Sequence, residues 1–313
     1  MAKIITLTFN PALDKRITVP KLVSGVKLHS SAPVFKAGGG GINVAKAIKH
    51  LGGDAIAIYL SGGYIGKKIG ELLMQECINN VPVYIRHDTR ENIILNETAT
   101  ENEYLLDLPG PVITESELKD CLAAVSKING IEYIVVSGSL PAGLPGDTFP
   151  RLAQIAKKKN AKLIVDTSGQ ALSDAVQAGA YLIKPNLYEL GSLSGKKDLT
   201  AETAVNAARQ LIKNTRCEAI VVSMGAHGAL LVTSDFSMEI MPPEIEVVST
   251  VGAGDSLVAG IVYWLSLGKN LKEAARYGVA CGSAATLNPG SELCKKIDAD
   301  TIYQTMQRVA KVA

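Results

Sequence analysis

Residues 131–168 read IEYIVVSGSLPAGLPGDTFPRLAQIAKKKNAKLIVDTS. The run IEYIVVSGS (131–139) is short, β-branched and ends in small residues. TFPRLAQIAKKKN (148–160) is helical in character, and AKLIVDTS (161–168) repeats the first pattern. Strand, helix, strand at this spacing is a parallel unit with its crossover helix. Outward from it, AYLIKPN (180–186) and AIVVSMG (219–225) are further short apolar runs, with the helical TAVNAARQLIKNT (203–215) between them. The reading is an α/β fold: a central, mostly parallel sheet with helices on both faces. GALLVTS (228–234) follows AIVVSMG after two residues and predicts a hairpin. From Ser256 the chain turns helical through SLVAGIVYWLSLG, LKEAARYGVACGSAATLN and DADTIYQTMQRVAKV.

Upstream, residues 12–35 and 89–110 break the alternation, being strand-like but more polar. NIILNE (92–97) and EYLLDL (103–108) flank a polar turn and predict a second hairpin. These two segments are expected to form a small β-sheet projecting from the main domain, as a lid. The division is then a body of 1–11, 36–88 and 111–313 and a lid of 12–35 and 89–110.

Composition narrows the class. The 313 residues are 47% hydrophobic and 20% charged, which supplies a core and excludes disorder. A net charge of +2 and 5% aromatics argue against a nucleic-acid surface. No apolar run approaches a membrane span, and the run before Asn10 and Pro11 is too short for a secretory signal. The five cysteines are scattered without CxxC and the four histidines form no pair, so free thiols and no zinc site are expected, in the cytoplasm.

In α/β sheets ligands gather at the carboxyl ends of strands. Those ends carry Ser137-Gly138-Ser139, Asp166, Lys184-Pro185-Asn186 and Ser223-Met224-Gly225. Two glycine-rich stretches add to them. Gly38-Gly39-Gly40-Gly41-Ile42-Asn43 leads into a helix of small residues, where glycine permits close backbone approach to a ligand. Its sixth position is Asn, so it is no dinucleotide fingerprint. Ser249-Thr250-Val251-Gly252-Ala253-Gly254-Asp255-Ser256 places exposed N–H groups and a helix start beside a carboxylate. That pairing suits phosphoryl transfer: the donors stabilise the moving phosphate and the carboxylate takes a hydroxyl proton. Asn186 and Glu189, three apart, suit either a hydrated Mg²⁺ or a helix capping box. Ser61–Lys68 echoes a phosphate loop but has the wrong spacing and hydroxyl.

With the glycine run, SGSLPAG (137–143), KPNLYEL (184–190) and STVGAGDS (249–256) in this order, the chain resembles the ribokinase/PfkB family of sugar kinases over essentially its whole length. Ser249, NPALD (10–14), SGSLP (137–141) and ATLNPGSELC (285–294) look like its sugar-phosphate branch. The resemblance implies an ATP-dependent kinase of ribokinase-like fold that phosphorylates the 1-hydroxyl of fructose 6-phosphate, with tagatose 6-phosphate or fructose 1-phosphate as alternative acceptors. It implies Asp255 as general base and Gly252, Ala253 and Gly254 as anion hole. Asp14, Gly39, Gly40 and Asn43 would hold the sugar, and Lys27, Arg90 and Ser139 its phosphate. Lys184, Asn186, Glu189, Ser223, Gly225, Gly228, Val251 and Gly282 would hold ATP, with Mg²⁺ reached from Glu189 through water. K⁺ would lie on carbonyls of Ser249, Val251, Ala285, Asn288 and Gly290. The lid would also make a homodimer; neither nucleic acid nor membrane is implied as a partner. His29 and Leu105 depart from the branch, which is expected to carry arginines there. A non-catalytic regulator on the same fold is the reading from another class; the complete set of Asp255, Gly252, Gly254 and Glu189 speaks against it.

Overall fold

The computed structural model describes residues 3–312. In chain order the first strands are β1 (Lys3–Thr8), β2 (Ala12–Val19) and β3 (Val34–Gly38), followed by α1 (Gly40–His50), β4 (Ala55–Gly62), α2 (Gly63–Gln75) and β5 (Asn79–Ile85). Then come β6 (Arg90–Glu97), β7 (Asn102–Asp107), α3 (Glu115–Lys127), β8 (Ile131–Ser137), α4 (Thr148–Lys158), β9 (Lys162–Asp166) and α5 (Gly169–Ala178). The chain continues through β10 (Leu182–Ile183), α6 (Leu187–Ser194), α7 (Ala201–Asn214), β11 (Ala219–Ser223), β12 (Ala229–Thr233) and β13 (Ser237–Ile240). It ends in α8 (Ala253–Ser266), α9 (Leu271–Thr286) and α10 (Lys296–Val312).

One nine-stranded sheet has the order β13-β12-β11-β10-β9-β8-β1-β4-β5. It is parallel from β5 to β11, and β12 and β13 close one edge antiparallel. Successive strand residues go to opposite faces, and both faces are apolar. Ile4, Tyr133, Val135 and Ile164 pack with α1, α8, α9 and α10. Ile5, Leu7, Ile134 and Val136 pack with α3 to α7. This is the α/β fold expected, with helices on both sides. Among the described residues no helix is long and apolar enough to cross a membrane. Cys121, Cys217, Cys281 and Cys294 are buried free thiols, and Cys77 is exposed.

The second sheet has the order β3-β2-β6-β7. Its central pair β2–β6 is parallel, with Ala12 opposite Arg90 and Val19 opposite Glu97, and both outer pairs are antiparallel. The expected hairpin is present, Asn92 facing Asp107. Three boundaries differ from the sequence reading. The small sheet passes the expected limit at residue 35, since β3 pairs with β2 as far as Gly38 opposite Ala12. The run 180–186 gives a strand of only two residues, since Pro185 has no N–H to donate. The first C-terminal helix starts at Ala253, three residues before Ser256, because Gly252 takes φ +80° as its N-cap.

α8 and α9 pack closely, Gly260 lying against Gly278 and Cys281. Trp264 stacks on Tyr277 at 4.2 Å between ring centroids, and Tyr303 of α10 meets both edge-on. The buried Tyr277 hydroxyl donates to Asp300 at 2.7 Å. Tyr277→Ala should therefore lower unfolding stability by about 3–5 kcal/mol, read from urea denaturation.

Candidate active site

The site lies where the carboxyl ends of β1, β8, β9 and β10 meet the first turns of α1 and α8. Gly39 caps α1 at φ +114°, a conformation open to glycine. A Cβ at residue 40 would collide with Ser137 Oγ and come within 2.5 Å of the Gly138 nitrogen. The glycine run thus lets α1 pack its first turn directly on the end of β8. This brings Asn43 to α8, where its Nδ2 donates to Asp255 Oδ2 at 2.9 Å. Ser137 Oγ donates to Asp255 Oδ1 at 3.2 Å.

Asp255 stands in the first turn of α8, half-buried. Burial pushes its carboxyl up to about 6, and the Asp166 carboxylate adds to the push. The hydrogen bonds from Asn43 and Ser137 and the charge of Lys184 oppose this only in part. Lys184 lies at the end of β10 and pairs with Asp166 Oδ1 at 3.0 Å, both side chains almost out of solvent. Burial pulls the Lys184 ammonium down, but Asp166, Glu189 and Asp255 together carry it above its ordinary value. A Cβ on Gly254 would lie 3.5 Å from Lys184 Nζ, so the ammonium sits beside the 252–255 turn.

That turn is shaped for an anion. The first intrahelical bond of α8 runs from Ser256 N–H to Gly252 at 2.9 Å. The N–H groups of Gly254 and Asp255 precede it and find no acceptor among the described residues. Free donors, a helix dipole and a neighbouring ammonium form an anion hole with a carboxylate at its rim.

The family description "pfkB family carbohydrate kinase" matches residues 10–298. The chain belongs to the pfkB family of carbohydrate kinases. It is similar to the ATP-dependent 6-phosphofructokinase isozyme 2 of Escherichia coli, 39% identical over 98% of this chain and 100% of that one. The structure of E. coli phosphofructokinase-2 in complex with potassium superimposes with a TM-score of 0.94, covering 98% of this chain and 100% of that one. The 1-phosphofructokinase of Bacillus subtilis is 34% identical over 91% of this chain and 93% of its own.

Other residues named from the pfkB resemblance fall into groups. Asp14 is held on β2 by Asn92, whose Nδ2 donates to Oδ1 at 2.9 Å, and burial raises its carboxyl. Arg90 is almost buried and bonds to Asp107, to the Leu108 carbonyl at 3.1 Å and to the Asn10 carbonyl at 3.4 Å. Asn10 Nδ2 in turn donates to Ser139 Oγ at 3.1 Å. Arg90 Nε, Asn10 Oδ1 and Asn92 Oδ1 are buried without a partner, so this corner keeps unused polar capacity. Lys27 lies apart, in the exposed segment between β2 and β3 with His29, and Leu105 is exposed on β7.

Asn186 and Glu189 form a full capping box on α6, each bonding the other's backbone N–H at 2.8 Å. Among the described residues no group of three His, Cys, Asp or Glu could hold a metal. Ser223 bonds its backbone N–H to Pro185 at 2.9 Å, which sets it beside Asn186, and Gly225 is open at φ +59°. Gly228 and Gly282 have packing reasons of their own: a Cβ would strike Ile240 at the first and approach Ala253 and Leu257 at the second. Val251 is exposed beside the turn. Ser249 Oγ donates to the Gly290 carbonyl at 2.7 Å, and Asn288 N–H to Ala285 at 3.1 Å.

Sequence reading gave no role to Asn10, Asn92, Ser137 or Asp166, although it placed Ser137 and Asp166 at the strand ends where ligands gather. Asn10 and Ser137 stood inside quoted motifs, and Asp166 at a strand end; Asn92 carried no local signal.

The raised Asp255 carboxyl has a measurable cost. A group whose pKa is higher folded than unfolded stabilises below its unfolded value and loses that contribution as pH rises through about 6. Asp255→Asn should therefore raise Tm by a few degrees at pH 8 and leave it unchanged at pH 3.5 relative to wild type, in thermal melts.

Proposed function

We propose that the protein is an ATP-dependent 6-phosphofructokinase, transferring the γ-phosphoryl of ATP to the 1-hydroxyl of fructose 6-phosphate. The observation that carries this is Asp255, a carboxylate raised to about 6 on the rim of the free N–H groups at 254 and 255. Its kinship with a 6-phosphofructokinase over almost the whole chain supports the acceptor.

In this reading Asn43 and Ser137 fix the Asp255 carboxylate, which takes the proton of the attacking hydroxyl. A base poised near neutrality is efficient because it is ionised yet still basic. Gly252, Ala253 and Gly254 present the α8 N-terminus to the transferring phosphoryl, and the Lys184 ammonium neutralises charge beside it. Asp14, Gly39, Gly40 and Asn43 hold the sugar hydroxyls. The sugar's own phosphate takes the corner of Arg90, Asn10 and Ser139, exchanging into the bonds that Arg90 now spends on Asp107. Lys27 reaches a phosphate from the lid of a second subunit. Residues 12–35 and 89–110 act as the lid, and its open apolar side chains, Val34, Tyr104 and Leu106 among them, support a homodimer. The compartment is the cytoplasm.

Ser223, Gly225 and Val251 border the nucleotide, while Gly228 and Gly282 shape its walls from behind. Mg²⁺ fits only as an ion held by ATP phosphates and water, with Glu189 within reach and Asn186 positioning it. There it would neutralise phosphate charge. The carbonyls of Ser249, Val251, Ala285, Asn288 and Gly290 are neutral oxygens from the end of α9 and two touching loops, a donor set that suits K⁺.

The decisive experiment is ADP release with Mg-ATP over fructose 6-phosphate, fructose 1-phosphate, tagatose 6-phosphate and unphosphorylated sugars. Fructose 6-phosphate should lead in kcat/KM by about tenfold or more. A lead for another phosphosugar would overturn the assigned acceptor, and His29 and Leu105 would then be the changes to test. Asp255→Asn should retain ATP and sugar-phosphate binding yet lose about 10²–10⁴-fold in kcat. Arg90→Ala and Lys27→Ala should raise KM for the sugar phosphate far more than for ATP; equal effects on both would remove them from the phosphate site.

A further inference from the structure

β2 alternates sides, so Arg16 shares the face of Asp14, two residues further from the body. Its nearest neighbours on that face are the side chains of the β6–β7 hairpin. Arg16 Nη1 donates to Glu103 Oε2 at 2.7 Å. The Asn96 carboxamide, turned with its oxygen toward Arg16, accepts from Nη1 at 3.1 Å and donates to Glu103 at 2.9 Å. Two strands of the small sheet thus hold the guanidinium in one orientation.

The other edge of that guanidinium leaves the sheet. Arg16 Nη2 lies 2.5 Å, and Cζ 3.1 Å, from where a Cβ on residue 290 would stand. The guanidinium therefore fills the space that a side chain at Gly290, in the loop after α9, would take. Gly290 is in turn joined to the phosphoryl-transfer turn. Its carbonyl accepts from Ser249 Oγ at 2.7 Å, and the same Oγ accepts from Val251 N–H at 3.3 Å. Val248 and Ser249 also donate their N–H groups to Thr286 at 2.8 and 3.2 Å. Gly252, cap of α8, follows directly. A cleft of about 530 Å³ beside Arg16 is lined by Asn96 and Glu103 from the sheet and by Ser249 and Pro289 from the loops.

We propose that Arg16 is a positioning residue that couples the two halves of the site. Through Gly290 and Ser249 it makes the position of the small sheet, which carries Asp14, Asn92 and Arg90, felt at the anion hole of α8. It touches neither reacting group. Its role is to make the two ligands bind cooperatively, a consequence that rests on the kinase reading, whereas the mechanical link itself does not.

Two measurements test it. The first uses the ligand-free protein. In Arg16→Ala, amide hydrogen exchange over residues 248–251 should quicken by about threefold or more, with α3 and β8 unchanged. Arg16→Lys keeps the charge without the flat guanidinium and should show the same change if Arg16→Ala is too unstable to read. Unchanged exchange at 248–251 overturns the link. The second is fructose 6-phosphate affinity with and without a non-hydrolysable ATP analogue and Mg²⁺. In wild type the analogue should tighten sugar-phosphate binding by about fivefold or more. In Arg16→Ala that gain should fall below about twofold, while the affinity for each ligand alone stays within about twofold. Retained coupling overturns the proposal, and so does a tenfold loss of fructose 6-phosphate affinity without nucleotide, which would make Arg16 an ordinary sugar-phosphate ligand. If wild type fails to turn over fructose 6-phosphate, the assigned activity falls, and the exchange result still judges the link.

Discussion

One ammonium shared by two carboxylates governs the site. Lys184 is committed to Asp166 at 3.0 Å, and Asp255 receives only its more distant field. Were the pairing reversed, Asp255 would be a settled anion with little appetite for a proton. As built, Asp166 neutralises Lys184 and at the same time repels charge on Asp255. The α/β topology makes this possible, because β9 and β10 are neighbours in the sheet and end at the same level, with the α8 N-terminus above them. The short β10 serves the arrangement as well: Lys184 follows its two residues with its N–H still on Val165 of β9, and its side chain reaches the turn of α8.

The small sheet answers a different requirement. A polyol and a phosphate need many directional polar groups, whereas a sheet buried on both faces would have to be apolar. A thin sheet can carry a row of polar groups on one face without that conflict. Asp14 and Asn92 are opposite one another on the central pair, Asp107 completes their row, and Arg90 lies at the edge next to the body. Asp14, Asn92 and Arg90, which would destabilise the main core, are here half-buried and bonded, Arg90 to the exposed Asp107.

Much of this was legible from sequence, for a reason that differs by element. The units β8–α4–β9 and the helices after residue 250 were readable because their hydrophobic patterns are local and long enough to be distinctive. The turn at 249–256 was readable because glycine spacing and an acid at a helix start are also local. The helix boundary at Ala253 was not, since a left-handed Gly252 leaves the three following residues free to be loop or helix. The roles of Asn10, Asn92, Ser137 and Asp166 escaped because they lie in partners 129 and 78 residues away for the first two, 118 for the third, and on the neighbouring strand for the last. The pair Asn186–Glu189 shows the converse: a local signal with two meanings, of which the capping box is realised in the backbone and the ligand role is left to the carboxylate's remaining lone pairs.

The register of the small sheet has a mechanical consequence. Ala12, Gly38 and Arg90 stand side by side, and Asp107 is only two pairs further out, so all four links to the body leave from one edge. A plate tethered along a single edge can swing but resists sliding and twisting. Displacement then grows with distance from that edge. At about 3.3 Å per residue, Asp14 sits about 7 Å and Arg16 about 13 Å from it, so a swing of about 10° moves the first by about 1 Å and the second by about 2 Å. The Asp14 carboxylate rides near the pivot, where it is steadied, and the guanidinium rides farther out, where a small angle becomes a stroke long enough to make or break a contact.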